Sequence, residues 1–393
     1  LGPRTLERGS TGVIVHSCPW ASPLWTAWPD QPRASIGDSN LSATETLAAS
    51  SRPSAGCICW HNLDNLDVSH EVGTMARKAK GYETVEEALR AVARSTARKK
   101  RAREKRAGEI AARVPGEGYE PCIVSFIDVL GFRHLLNTRH AHDIRDVLLQ
   151  LREFTAPLEE RPTRPVRDAR LLSRAFADSV SDAVVRVRVY DTQYNDGAFF
   201  HELHDLLHAQ VECIGHGVVI RAGVAVGSAH VGVRGKGPVF GPAMVRAYEI
   251  ETNEAIYPRI VVDAAAYQNF LDDVRLRKQD HRIEEELRYV DRLLRIDADG
   301  KRFIDYLAAS ESEFDDTSGY FLFLGRHAEL VRDKLATTTG RVREKFEWLA
   351  TYHNSVVDDL LAQFTDGRRS AEAFMTEFGV NVVSFLQAAV IAE

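Results

Sequence analysis

The sequence predicts an α+β fold of ferredoxin-like type: an antiparallel-rich sheet covered by helices, with a C-terminal helical extension. Three observations carry this. From residue 122 onward, strand-like runs alternate with long helical ones, and hairpin-like pairs lie between the helices. The apolar spacing switches from period two in "SDAVVRVRV" to helical in "AFFHELHDLLHAQVECIGHG", where Phe200, Leu203, Leu207, Val211 and Ile214 recur. The tail, "HAELVRDKLATTTGRVREKFEWLATYHNSVVDDLLAQF", reads as a helical pair broken at Gly340.

Taken in order, residues 1–74 stand apart. They hold four of the five tryptophans and three of the five cysteines, scattered without helical or strand period, and lack the basic-then-apolar order of a signal peptide. The first methionine of the chain is Met75. Two readings stay open: a mis-called upstream start, with translation beginning at Met75, or a disordered extension. Residues 75–115 form a basic helix and linker, with twelve Lys or Arg against four Glu over 75–107. A solvated helix is the preferred reading over a nucleic-acid or acidic-partner contact, because a charge run alone specifies little. "VPGEGYEP" then marks a boundary.

A sheet domain is expected over 116–310. "CIVSFIDVL" is a strand, "RHLLNTRHAHDIRDVLLQLREFTAPL" an interrupted helix, and "LLSRAFADS" with "SDAVVRVRV" a hairpin. "VVIRAGVAVGSAHVG" is expected to be a second hairpin, turning near Gly227. "GPAMVRAYEIETNEA" is a helix and "PRIVVD" a strand; polar helices over 271–293 precede a hairpin turning at Asp299–Gly300. Residues 311–393 are the helical extension.

Composition narrows the function classes. A net charge of −6 and a pI near 6.2 give no global drive towards nucleic acid or membrane, and no run approaches a transmembrane length. Five cysteines at irregular spacing form neither a disulfide framework nor a paired zinc motif, so a reducing, cytoplasmic setting is expected.

The chemistry centres on carboxylates. Asp128 lies in a strand that reads as buried, where an ionised carboxylate needs a positive partner: an arginine, backbone amides or a metal ion. Asp178, on the following hairpin, is a second acid in the same sheet, and two carboxylates brought together call for a cation. Hard oxygen donors suit Mg²⁺ or Mn²⁺ and point to phosphoryl transfer. By strand alternation, Phe126 shares a face with Asp128, and Arg174 with Asp178. A flat aromatic and a cation there are suited to a nucleobase; plain core packing is the competing reading for Phe126.

"FIDVLGFRHLL", "RAFADSV", "IRAGVAVG" and "FGPAMVRAYEIE", in this order over about 120–265, resemble the motif segments of class III nucleotide cyclases. "FIDVLGF", "FGPAMVRAYEIE" followed by "YPRIVVD", and "WLATYHN" look like the pyrimidine cyclases of bacterial antiphage (Pycsar) systems. That resemblance implies a class III cyclase catalytic domain and a uridylate cyclase making 3′,5′-cyclic UMP from UTP, ahead of cyclic CMP from CTP. Pyrophosphate would leave, and a separate effector would read the product. By position, Asp128 and Asp178 would bind two Mn²⁺ ions (or Mg²⁺), with the backbone carbonyl of Ile127 or Val129 adding a ligand. Phe126 and Arg174 would meet the base, and Arg246 would stabilise the transition state from the opposite subunit of a homodimer. One departure stands out: where purine cyclases place Asn four residues before that arginine, this chain has Pro242.

Other signals read as structural. "HELHDLLH" clusters His201, His204 and His208, but Asp205 breaks the HExxH pattern, so an exposed polar flank is expected. "DADGKRFID" places its glycine too early for a calcium loop. "GVRGKG" lacks the strand-to-helix setting of a phosphate loop; Lys236 within it is at most a triphosphate flank on a mobile loop.

Overall fold

The run EPCIVSFIDV becomes a central strand, β1 (Glu120–Val129), because its apolar residues point both ways and both faces are covered. In this computed structural model the described residues are 85–111, 118–156, 172–232 and 238–392. The readings for residues 1–74 and for Lys236 lie outside them. The chain divides into one unit ending at Lys99 and another from Lys100. The basic stretch is helical as α1 (Val85–Ala111). Within the second unit, its Arg106 donates to Asp191 Oδ1 at 2.7 Å and to the side-chain Oδ1 of Asn195 at 3.1 Å.

After β1 come α2 (Phe132–Thr138) and α3 (Ala141–Thr155), then the hairpin β2 (Arg174–Val180) and β3 (Ala183–Val189). Helix α4 (Ala198–Gly215) returns the chain to β4 (Ile220–Ala229). Then follow α5 (Pro242–Asn253), β5 (Ile260–Val262), α6 (Ala264–Asp272) and α7 (Ile283–Arg292). Strands β6 (Leu294–Ile296) and β7 (Arg302–Ile304) form the expected hairpin, with Gly300 at φ 78° in its turn. The helices α8 (Tyr306–Ala309), α9 (Thr317–Thr337), α10 (Gly340–Thr365), α11 (Ala371–Phe378) and α12 (Val382–Ala389) complete the chain. Gly340 separates α9 from α10, as its spacing predicts.

The seven strands run in the order β2-β3-β1-β4-β5-β7-β6. Among the first four each neighbouring pair is antiparallel, so β1 and β2 run parallel with β3 between them, the split βαβ arrangement of a ferredoxin-like sheet. One expectation fails: residues 220–229 are a single strand, and Gly227 pairs inside it with Cys122 instead of turning a hairpin. The missing side chain serves packing, since a Cβ there would lie 3.3 Å from Ala243 Cβ on α5. Gly223 is tighter still: an added Cβ would sit 2.3 Å from the Ala247 carbonyl oxygen. Glycine thus lets α5 lie directly on β4.

The sheet separates two apolar cores. Ile123, Ile127 and Val129 face one, which α4 and the C-terminal helices fill with Phe199, Leu203, Phe321, Leu349 and Leu386. Residues on both sides of position 310 share this core. Cys122 and Val124 face the other, closed by Ala243, Ala247 and Ile250 of α5. On the α4 side, buried Arg186 and Arg188 of β3 meet Glu202 and Asp205, and Ser125 donates to Glu202 at 3.1 Å. Each charge has partners, which a buried ion cluster requires. No described helix is long and apolar enough to cross a membrane.

Candidate functional site

Strand register fixes how the candidate residues lie. On β3, Val185 stands opposite both Phe126 and Asp178, and Ala183 stands opposite Asp128. Directly opposed residues share a face, so Phe126, Asp128, Arg174 and Asp178 all lie on the α5 side of the sheet. They are not all in contact. Strand β3 intervenes between β1 and β2, and two strand spacings with a two-residue offset put the Asp128 and Asp178 Cα atoms about 12 Å apart. The hairpin does neighbour β1, but through β3, so the two carboxylates expected to be brought together do not sit on adjacent strands. Asp178 is exposed, and its Oδ1 accepts from the Ser179 amide at 2.8 Å.

Asp128 answers the question of its partner with an arginine. Arg221, opposite it on β4, donates to Asp128 Oδ2 from Nε at 3.3 Å and from NH2 at 3.1 Å. The same NH2 lies 2.6 Å from Oε1 of buried Glu251, on α5. That approach is poorly aligned, so Oε1 has charge pairing without a hydrogen bond. One guanidinium thus serves two carboxylates. Burial first, and then the Glu251 charge, push Asp128 up to about 6; Arg221 opposes this and Asp182 adds to it.

Asp182 was not among the residues singled out from the sequence. It sits at the tip of the β2–β3 hairpin beside Ser181, whose φ of 59° is the single positive value for a non-glycine among the described residues. Such a conformation costs about 1–3 kcal/mol and concentrates at functional turns. Lys345, from α10, also enters this electrostatic set. Its ammonium is held below the ordinary lysine range by burial first and then by Arg221, with Asp128 and Glu251 pulling the other way. Sequence periodicity carries no signal for either residue, because one lies in a turn and the other arrives from 217 residues beyond Asp128 (345 − 128).

The remaining candidates are placed as follows. Phe126 is half-buried and meets Tyr248 of α5 edge-on, with centroids 5.3 Å apart. Tyr248 is 49% exposed, so the pair reaches the surface. Arg174 is exposed, 5.8 Å from the Phe176 ring. Ile127 is buried in the opposite core, paired with Val184 and Ala222, so a contribution from it would be through the main chain. Arg246 points to the β5 side, where Asp263 receives it in a two-point pair at 3.0 Å each and Glu254 lies at 2.8 Å. Pro242 is the first residue of α5, four before it.

Asp128 and Glu251 fit a hard divalent cation in donor type. They supply oxygen donors, more negative than positive charge at Arg221, and one buried oxygen without a hydrogen bond.

No protein-family model matches the chain, and no curated protein does. Solved structures similar to part of it include two bacterial adenylyl cyclases. One is the adenylyl cyclase CyaB from P. aeruginosa, at 20% identity and TM-score 0.27, over 40% of this chain and 83% of that one. The other is a bacterial light-regulated adenylyl cyclase, at 13% identity and TM-score 0.27, over 40% and 81%. Both likenesses cover less than half of this chain.

Proposed function

We propose that this chain is a nucleotide cyclase of class III type that converts UTP, ahead of CTP, into the 3′,5′-cyclic monophosphate and pyrophosphate as a signal in antiphage defence. The observation that carries the reading is the shared face: Asp128, Phe126, Arg174 and Asp178 line one side of a ferredoxin-like sheet, and the motif segments that hold them follow the family's order.

In this reading, Asp128 is the principal metal ligand and Glu251 and Asp182 supply the surrounding negative charge. Asp178 holds a second position further along the cleft. Bound Mn²⁺ or Mg²⁺ would lower the pKa of the ribose 3′-hydroxyl and neutralise the leaving pyrophosphate. Phe126 with Tyr248 offers an aromatic wall for the base; Arg174 is a cation on the same face, two strands and four residues from Phe126, about 17 Å between Cα atoms. Arg246 is held by Asp263 and Glu254 away from Asp128, which favours a homodimer in which the arginine of one subunit serves the carboxylates of the other.

The test incubates the full chain with Mn²⁺ and each of ATP, GTP, CTP and UTP separately, with mass spectrometry of the products. A cyclic pyrimidine nucleotide, lost in Asp128→Ala and Asp178→Ala, is the expected result. A cyclic purine would overturn the base assignment. No cyclic product from any of the four would overturn turnover and leave a nucleotide-binding domain.

A further inference from the structure

The "HELHDLLH" segment is not the exposed flank its sequence predicts. Helix α4 packs on the sheet, so His208 is only 8% exposed and His204 is half-buried. The two histidines are one helical turn apart and leave the helix on the same side. Glu313 meets them from the 3₁₀ turn Ser310–Glu313, which leads towards α9. His204 Nε2 lies 3.0 Å from Glu313 Oε2, His208 Nε2 lies 3.3 Å from the same oxygen, and the two nitrogens are 3.2 Å apart.

These three atoms form a nearly equilateral triangle. A tetrahedral ion with bonds of about 2.0–2.1 Å separates its ligands by about 3.3–3.4 Å. An ion about 1 Å above the plane of the triangle would therefore reach all three donors with little side-chain movement. Two imidazole nitrogens and a carboxylate oxygen converging on one point are held either by N–H donation from the imidazoles to the carboxylate or by a metal. The near-equilateral closure of all three edges, which pairwise hydrogen bonding does not require, fits the metal. Phe200 stacks on His204 with centroids 5.5 Å apart and walls one side.

We propose that His204, His208 and Glu313 form a zinc-class divalent metal site that ties α4 to the turn before α9, with one position left for water. Imidazole donors select zinc, cobalt or nickel over Mg²⁺. This separates the site from the all-oxygen cluster at Asp128, which lies on the opposite face of the sheet. It stands whether or not the chain is a cyclase.

The experiment strips the full chain of metal with a chelator and titrates it with Zn²⁺ by calorimetry in excess Mg²⁺, alongside Tm. One zinc per chain and a Tm raised by several degrees are expected, because an ion that binds only the folded state stabilises it. His204→Gln and Glu313→Gln should each weaken binding at least tenfold. Should a variant fail to fold, Co²⁺ added to the unmodified chain reads the site directly, by the visible absorption of four-coordinate N/O cobalt. Absence of stoichiometric zinc, an octahedral cobalt spectrum, or undiminished affinity in His204→Gln with Glu313→Gln would each overturn the site in favour of a proton-bridged cluster.

Discussion

Gly223→Ala tests how closely α5 must sit on β4. An added Cβ would lie 2.3 Å from the Ala247 carbonyl oxygen, 2.6 Å from Ile250 Cβ and 2.8 Å from the Glu251 amide nitrogen. All three belong to α5 and two are backbone atoms, so no single rotamer change relieves the clash. The helix must retreat as a body, by about 1 Å to restore van der Waals distance. Overpacking of this kind costs about 1–3 kcal/mol, and backbone contacts place it at the upper end. The alanine recovers about 0.4–1 kcal/mol through the unfolded chain. A net loss of about 2 kcal/mol follows, or a Tm lowered by about 4–8 °C for a domain of this size. Urea and thermal unfolding followed by circular dichroism measure it. Gly227→Ala is the internal control, since its Cβ would meet Ala243 Cβ at 3.3 Å, a contact that a small shift relieves. The proposed cyclase activity should fall in Gly223→Ala as well, because Arg246, Tyr248 and Glu251 ride on the displaced helix. If Gly223→Ala lost no more stability than Gly227→Ala, the direct seating of α5 would be refuted.

Further outcomes follow from the charged groups. The Asp128 carboxyl titrates near 6 when folded against 3.8 ordinarily, so its contribution to stability falls as pH rises from about 4 to 6. Relative to the wild-type chain, Asp128→Asn should gain up to about 3 kcal/mol across that window; a flat difference curve from denaturant titrations would contradict the shift. Buried His353 has the opposite sign: burial lowers it to about 4, so stability is lost as pH falls from about 6.5 towards 4. His353→Gln should flatten that acid-side slope by up to about 3 kcal/mol, read from the same titrations. Arg246→Lys keeps the charge but loses the two-point geometry; kcat should drop about 100-fold while stability moves by less than about 1 kcal/mol. An unchanged kcat would overturn the proposed role of Arg246.

Much of the sheet domain was legible in the sequence. Short apolar runs bounded by turn residues marked β1, the β2–β3 hairpin and β5, and glycine marked the β6–β7 turn and the break at Gly340, because local backbone preference and burial agree there. Alternation also placed Phe126 with Asp128, and Arg174 with Asp178, each pair on one face. Gly227 misled because a glycine that makes room for a helix has the same letter as one that makes a turn, and only the packed partner, Ala243, tells them apart. The Arg221–Asp128–Glu251 cluster, the approach of Lys345 and the meeting of His204 and His208 with Glu313 were decided by tertiary structure alone. Each joins residues from separate elements, and the charge balance or ligand geometry belongs to the distance between them. Local sequence fixes which face a side chain takes; only the packing of distant segments fixes what that side chain meets.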